Sequence, residues 1–325
     1  MTMSKFVRSA VLAVAWVGSF AVAPLVQAQE WPFKPIKAFI PFAAGSATDV
    51  IPRAVFDQIG PVIGHPIIVE NRGGAGGALG VGEVVRAPPD GYTILADSSA
   101  LSVAPWIVPD LPYDTAKDLS AVVPLGQNAN VLVVNPSRGW KTVQDLVAAA
   151  KANPGSINYG SAGVGSATHV SAERFRISAG FEATHIPYKG GAEALTDLLG
   201  GRIDFYYCPI STALPLIRDG RLIALAVSTP TRAPDLPDIP TSLEAGYPQS
   251  DYTVWYGVFM PAKTPREIVQ KFYSVATGVL QTPVMKQKLA QLAVDPLPMT
   301  PEQFDKYVAA DLAANGKLFK AAASK

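Results

Sequence analysis

IKAFIPFAAGSATDVIPRAVFDQI, residues 36–59, runs from an apolar stretch (Ile36 to Ile40) through a glycine- and hydroxyl-rich turn (Pro41 to Asp49) into a helical pattern. It reads as strand, turn, helix. INYGSAGVGSATHVSAERF, residues 157–175, repeats the arrangement, with the turn Tyr159 to His169 leading into an amphipathic helix that carries Val170, Phe175 and Ile177. A glycine-rich turn that feeds a helix leaves backbone N–H groups unpaired and points the positive end of the helix dipole at the same spot, which makes an anion site. Two such turns, one in each half of the chain, predict two lobes that each grip part of an acidic small molecule.

Outward from these turns the chain alternates β-branched apolar runs with helical patterns, so the fold class is α/β with mostly parallel sheets built from βαβ units. The pattern predicts strands at Ile36 to Ile40, Ile67 to Glu70, Tyr92 to Ala96, Val131 to Val134, Ile157 to Gly160, Ile203 to Tyr206, Ile223 to Val227 and Val254 to Met260. Helices are predicted at Thr48 to Ile59, Gly76 to Arg86, Val143 to Ala152, Ala167 to Ala179, Ala192 to Gly200, Ala213 to Asp219, Pro265 to Thr277, Thr282 to Leu292 and Pro301 to Gly316. Thr264 and Thr300, each followed by proline, read as N-caps of the two long C-terminal helices.

The N-terminus carries Lys5 and Arg8, an apolar core from Ala10 to Phe20, and Val26-Gln27-Ala28. This reads as a secretory signal peptide over residues 1–28, cleaved after Ala28, and places the chain in the periplasm. The 27 basic and 26 acidic residues cancel and form no stripe, which argues against nucleic acid and anionic membrane surfaces as partners. One cysteine, Cys208, leaves no intramolecular disulfide and no cysteine-based zinc site, so stability rests on packing, and no metal or cofactor is expected.

Each turn supplies candidate ligand-binding residues. In the first, Gly45 lets backbone approach a ligand, Phe42 adds a ring, Ala44 lies in the loop, and Ser46 and Thr48 carry hydroxyls. Asp49 joins the candidates, with capping or bracing of the loop as its competing role, since a carboxylate repels an acidic ligand. In the second, Ser161, Ser166 and Thr168 are the donors, with Ala162, Gly163 and Gly165 as the backbone of the loop. His169 is a candidate whose alternative is a hydrogen bond to loop backbone. Ser98 and Ser99, Asn128 and Asn130, and Tyr207 and Cys208 lie at strand ends, where doubly wound sheets bind ligands. VENRGGAGGALG, residues 69–80, lacks the Gly-x-Gly-x-x-Gly spacing, because Leu79 stands at the last position counted from Gly74, and it lacks a Walker Gly-Lys-Ser/Thr ending. Its glycines read as packing and turn residues.

WPFKPIKAFIPFAAGSATDVIPR, IIVENRGGAGGALGVGEVVRAPPDGYTIL, INYGSAGVGSATHVSAERF, HIPYKGGAEALTDLLGGRIDF, GRLIALAVSTPTRAPDLPDIPTSLEAGYP and WYGVFMPAKTP, in this order over nearly the whole chain after the leader, resemble the Bug or TctC family. These are periplasmic solute receptors of tripartite tricarboxylate transporters. The resemblance implies a two-lobed, type II periplasmic binding protein, a Venus flytrap, with residues 29–130 and 253–325 in one lobe and 131–252 in the other. It implies a monomer that captures a small organic acid and presents it to a membrane permease, with the carboxylate held mainly by loop amides, hydroxyls and waters and with little help from a buried arginine. The acid has one or two carboxylates, and an aromatic, phthalate-type acid is among the options. Ser46 stands where the family usually has a second glycine, and Tyr207 and Cys208 stand where many relatives carry small or polar residues. Two other readings compete: a sensor that reports the bound acid to a signalling partner, and a secreted serine hydrolase. The hydrolase lacks the Gly-x-Ser-x-Gly elbow at both Ser161 and Ser166.

Overall fold

The computed structural model describes residues 30–108 and 110–323, so the predicted leader lies outside the described residues. Strands are β1 (Ile36–Ile40), β2 (Ile67–Asn71), β3 (Thr93–Ser98), β4 (Leu119–Asn128), β5 (Asn130–Val134), β6 (Asn158–Ser161), β7 (Thr184–Pro187), β8 (Phe205–Pro209), β9 (Ile223–Val227) and β10 (Val254–Pro261). Helices are α1 (Ala47–Ile63), α2 (Ala78–Val85), α3 (Ala100–Ile107), α4 (Thr115–Asp118), α5 (Val143–Ala152), α6 (Ala167–Ala179), α7 (Gly191–Leu199), α8 (Ile210–Arg218), α9 (Arg266–Gln281), α10 (Pro283–Gln291) and α11 (Pro301–Ala323).

The strands form two five-stranded sheets, ordered β2-β1-β3-β10-β4 and β7-β6-β8-β5-β9. In each sheet one strand is antiparallel to its neighbours: β10 against β3 and β4, and β5 against β8 and β9. Each of these strands has just crossed from the other sheet. The chain leaves β4 at Asn128 and enters β5 at Asn130, and it returns from β9 to β10. The βα strands run toward the gap between the sheets, so a strand that starts at the gap has to run away from it. The carboxyl ends of β1, β4, β6 and β8 therefore meet there, where open α/β sheets bind ligands.

Two strands and two helices escape the pattern reading. β4 contains Pro124 and Gly126, which break a strand pattern, yet it lies at a sheet edge, where proline's missing N–H is tolerated. β7 is a four-residue edge strand. Helix α3 is apolar and interrupted by Pro105, so it shows no helical period, and α4 is a single turn. Thr300 forms the expected cap, accepting from Gln303 N while its own N–H donates to Gln303 Oε1. Thr264 does not: its hydroxyl donates to the Pro261 carbonyl at 2.7 Å, and Pro265 takes the N-cap position.

Side-chain alternation splits the second sheet's core into two faces. Leu132, Phe205 and Tyr207 pack with Phe175 on one face, and Val131, Val133, Tyr206 and Cys208 pack with Leu198 and Ile210 on the other. Burial of each large side chain contributes about 1.5–3 kcal/mol. On the first sheet Phe304 of α11 meets Trp255 edge-on at 5.4 Å and fills the space left by Gly257, where a Cβ would sit 2.4 Å from its ring. Further along α11, Asn315 accepts from Arg174 of α6 at 2.8 Å, so this helix ties the two sheets together.

Candidate ligand-binding cleft

The first turn is built around Asp49, which is only 3% exposed. Its carboxylate accepts from Gly45 N (2.9 Å), Arg53 Nη2 (2.7 Å) and Asn71 Nδ2 (2.9 Å), and Asn71 also donates to the Phe42 carbonyl (3.0 Å). Burial pushes the Asp49 carboxyl up, but the hydrogen bonds from Arg53, Gly45 and Asn71 outweigh it and hold the group below the usual carboxylate range. Asp49 thus braces the loop from behind. Arg72 is turned to Glu70 at 2.6 Å. Ser46 occupies the N-cap position of α1, yet its hydroxyl caps nothing and is shielded from solvent without a hydrogen-bond partner.

The second turn is closed by its own side chains. Ser166 Oγ donates to the Gly163 carbonyl (2.7 Å) and accepts from His169 N (3.3 Å), and Thr168 Oγ1 accepts from Ala162 N (2.9 Å). Ser161 Oγ accepts from Gly163 N (3.0 Å) and pairs with His185 Nε2 (2.7 Å), while His169 Nδ1 accepts from Gly165 N (3.2 Å). The two imidazoles stack at 4.1 Å. Ser161 is fully buried within the loop. Helix geometry leaves the first amides of α1, at Ala47 and Thr48, and of α6, at Ala167 and Thr168, without intrahelical acceptors.

Both turns face a cavity of about 480 Å³ between the sheets. Of the sequence candidates, Phe42, Gly45, Ser46, Thr48, Asn130, Ala162, Ser166, Thr168 and Cys208 line it. Ala44, Asp49, Ser98, Ser99, Ser161, Gly163, Gly165, His169 and Tyr207 are not among its walls. Asp49, Ser161, Gly165 and His169 shape the loops from behind, and Ser98 and Ser99 are buried at the start of α3. Tyr207 sits on the opposite face of β8 from Cys208, 5.9 Å from Phe175, because adjacent strand residues cannot share a face. Tyr206 takes the wall position, its phenol facing Thr168.

The sequence reading passed over Tyr206, Tyr256 and the start of α7 at Lys189, Gly190 and Gly191, all of which line the cavity. Alternation from Cys208 is the signal that points to Tyr206. Lys189 is the one charged residue on the walls among the described residues. Burial pushes the Cys208 thiol far up, so it presents a neutral, weakly polar surface. A larger cavity of about 770 Å³ lies beside β4, α9 and α10, lined by Val123, Leu125, Leu280 and Leu289. Neither glycine-rich turn reaches it, so the cleft remains the site with anion-binding chemistry.

Residues 51–323 match the model of the TctC family, described as the tripartite tricarboxylate transporter family receptor. The chain belongs to this family. As a TctC receptor it is a solute-binding protein of the periplasmic Venus-flytrap type. It is 32% identical to protein BugT of Bordetella pertussis over 91% of this chain and 92% of that protein. The solved structure of periplasmic binding protein BugD is 30% identical, with a TM-score of 0.82 over 90% of this chain and 99% of that one. Rpa4515 of R. palustris, solved with adipate, is also 30% identical, with a TM-score of 0.82 over 89% and 97% of the two chains. The two-sheet fold with a cleft between the sheets is thus that of the TctC receptors.

Proposed function

We propose that this TctC receptor captures a small organic carboxylate in the 480 Å³ cleft and delivers it to the permease of a tripartite transporter. The observation that carries the reading is the pair of uncapped or self-capped helix N-termini, α1 from one sheet and α6 from the other, facing one cavity. Each offers amides and a dipole to an anion. Neutral donors in place of a buried arginine suit a ligand that has to be released as well as held. Phe42, Tyr206, Tyr256 and Leu195 on the walls favour an acid with an aromatic ring or a longer aliphatic chain, of the size of the adipate found in Rpa4515.

The protein acts as an exported monomer, cleaved after Ala28, with lobes formed by residues 29–130 with 253–325 and by 131–252. Ligand is held on one lobe first, and closure adds the other lobe's donors, so the closed population reports occupancy. Thermal shift of the chain from Gln29 onward, against mono- and dicarboxylates with aliphatic and aromatic bodies, tests the reading. A ligand at 100 times its dissociation constant adds about 2.7 kcal/mol. A rise of several degrees with one class of acid is expected, and no rise with any acid overturns the proposal.

A further inference from the structure

Asn128 and Asn130 bracket the point where the chain passes from one sheet to the other, and both line the cleft. Their amides are used differently. Asn130 Nδ2 donates to Ser171 Oγ at 3.0 Å and to the Ala167 carbonyl at 3.4 Å, which ties it to α6. Asn128 is 3% exposed, and its Oδ1 accepts from the Tyr256 hydroxyl at 3.3 Å, while its Nδ2 has no hydrogen-bond partner. An unpaired amide nitrogen at this depth is destabilising, and native structures rarely keep one without something to pair with it. Tyr256, itself buried at 2% exposure, donates to the amide oxygen. The nitrogen lies shielded from solvent in a residue of the cleft wall, separate from the helix N-termini that face a carboxylate.

We infer that Asn128 is a specificity-determining residue: it selects acids that carry a second oxygen acceptor (a hydroxyl, keto or second carboxylate oxygen) beyond the carboxylate at the α1 and α6 N-termini. Tyr256 is the positioning residue that holds the amide in the donating orientation. Both statements rest on the carboxylate reading of the cleft. An acid with a purely hydrocarbon body leaves Nδ2 unpaired and gains only the contacts of the apolar walls. A site whose polar group has to be paired rejects an analogue lacking the matching atom more strongly than an apolar wall rejects a change in size.

Titration calorimetry with two matched series tests this: hexanoate, 6-hydroxyhexanoate and adipate, and benzoate, 4-hydroxybenzoate and terephthalate. Wild-type protein is expected to bind the oxygenated members of at least one series about tenfold or more tighter than the parent acid, the ratio that one hydrogen bond supplies. In Asn128→Ala that ratio falls to near unity, and Tyr256→Phe lowers it part of the way. Asn128→Asp, which keeps the volume, retains the hydroxy acid as a donor to its carboxylate and loses the diacid by repulsion. A ratio unchanged in Asn128→Ala, or an equal loss for parent and oxygenated acids, overturns the inference and leaves the carboxylate reading standing. Failure of every acid in both series to bind wild-type protein overturns the carboxylate reading and the inference together.

Discussion

Gly76 and Gly165 meet backbone to backbone across the two sheets: a side chain on Gly165 would start 3.3 Å from the Gly76 Cα and 3.2 Å from Ile107 Cδ1. The glycine-rich segment after β2, which carries no nucleotide-binding spacing, thus packs against the second turn. Gly165 also has φ +81°, a left-handed conformation that strains any other residue by about 1–2 kcal/mol.

Gly165→Ala is therefore expected to weaken ligand binding by more than its loss of thermal stability implies. Gly163→Ala is the control, since it shares the loop and a positive φ of +116°, but its new Cβ would meet only the Tyr188 carbonyl, at 3.3 Å. Calorimetry with an acid that raises the melting temperature, run beside melting curves, separates the two. Equal affinity losses in both variants would show that closure does not depend on the Gly76 approach.

Asp49→Ala leaves Gly45 N and the Arg53 guanidinium without their shared acceptor, and it is expected to cost about 1–3 kcal/mol in urea denaturation. The pH sign follows from the lowered carboxyl. The stabilisation is complete above the ordinary Asp value of 3.8 and is lost as pH falls through the lower folded value. Acid titrations of wild-type protein should show this extra loss, and those of the variant should not.

The stacked imidazoles of His169 and His185, beside the second turn, set a separate pH dependence. Burial, reinforced by His169 and opposed by Glu173, drives His185 from its ordinary 6.5 down to about 4, and burial also lowers His169, with Arg176 adding to the effect and Glu173 opposing it. Both rings are neutral in the folded protein at pH 7. Below pH 6.5 the unfolded chain takes up protons that the folded one refuses, so stability falls from there to about pH 4. His185→Gln is expected to flatten that part of the melting-temperature profile, and an unchanged slope would assign the acid sensitivity to other groups.

Tyr207→Phe is expected to leave ligand affinity unchanged and stability unchanged or slightly raised. The Tyr207 hydroxyl is buried without a partner, and removing an unsatisfied polar group relieves a penalty. A loss of affinity in calorimetry would mean that this side chain does face the ligand.

Tyr207 also shows where reading the sequence stops. The apolar run ending at Tyr206 looks like the strand, which puts Tyr207 and Cys208 together in the loop beyond it. The ladder instead runs Phe205–Pro209, pairing Cys208 with Val131 and Tyr207 with Leu132 of β5. Inside a strand the two residues take opposite faces, and only Cys208 reaches the cleft. Strands β4 and β7 were illegible for local reasons: Pro124 and Gly126 interrupt the pattern of β4, and β7 is only four residues long.

By itself the sequence determined what depends on a few neighbouring residues: strands β1 and β9, helices α5 and α6, the Thr300 cap, and the two glycine-rich turns between strand and helix. Those features arise from side-chain period, capping chemistry and glycine's backbone freedom, all of which act within about one or two helical turns. Tertiary structure alone decided which face of β8 lines the cleft, that Asn130 is tied down while Asn128 is left a donor, and that Gly76 lies against Gly165. Each depends on a partner such as Val131, Ser171, Tyr256 or Gly76, brought close only when two sheets assembled from distant parts of the chain close on one cleft.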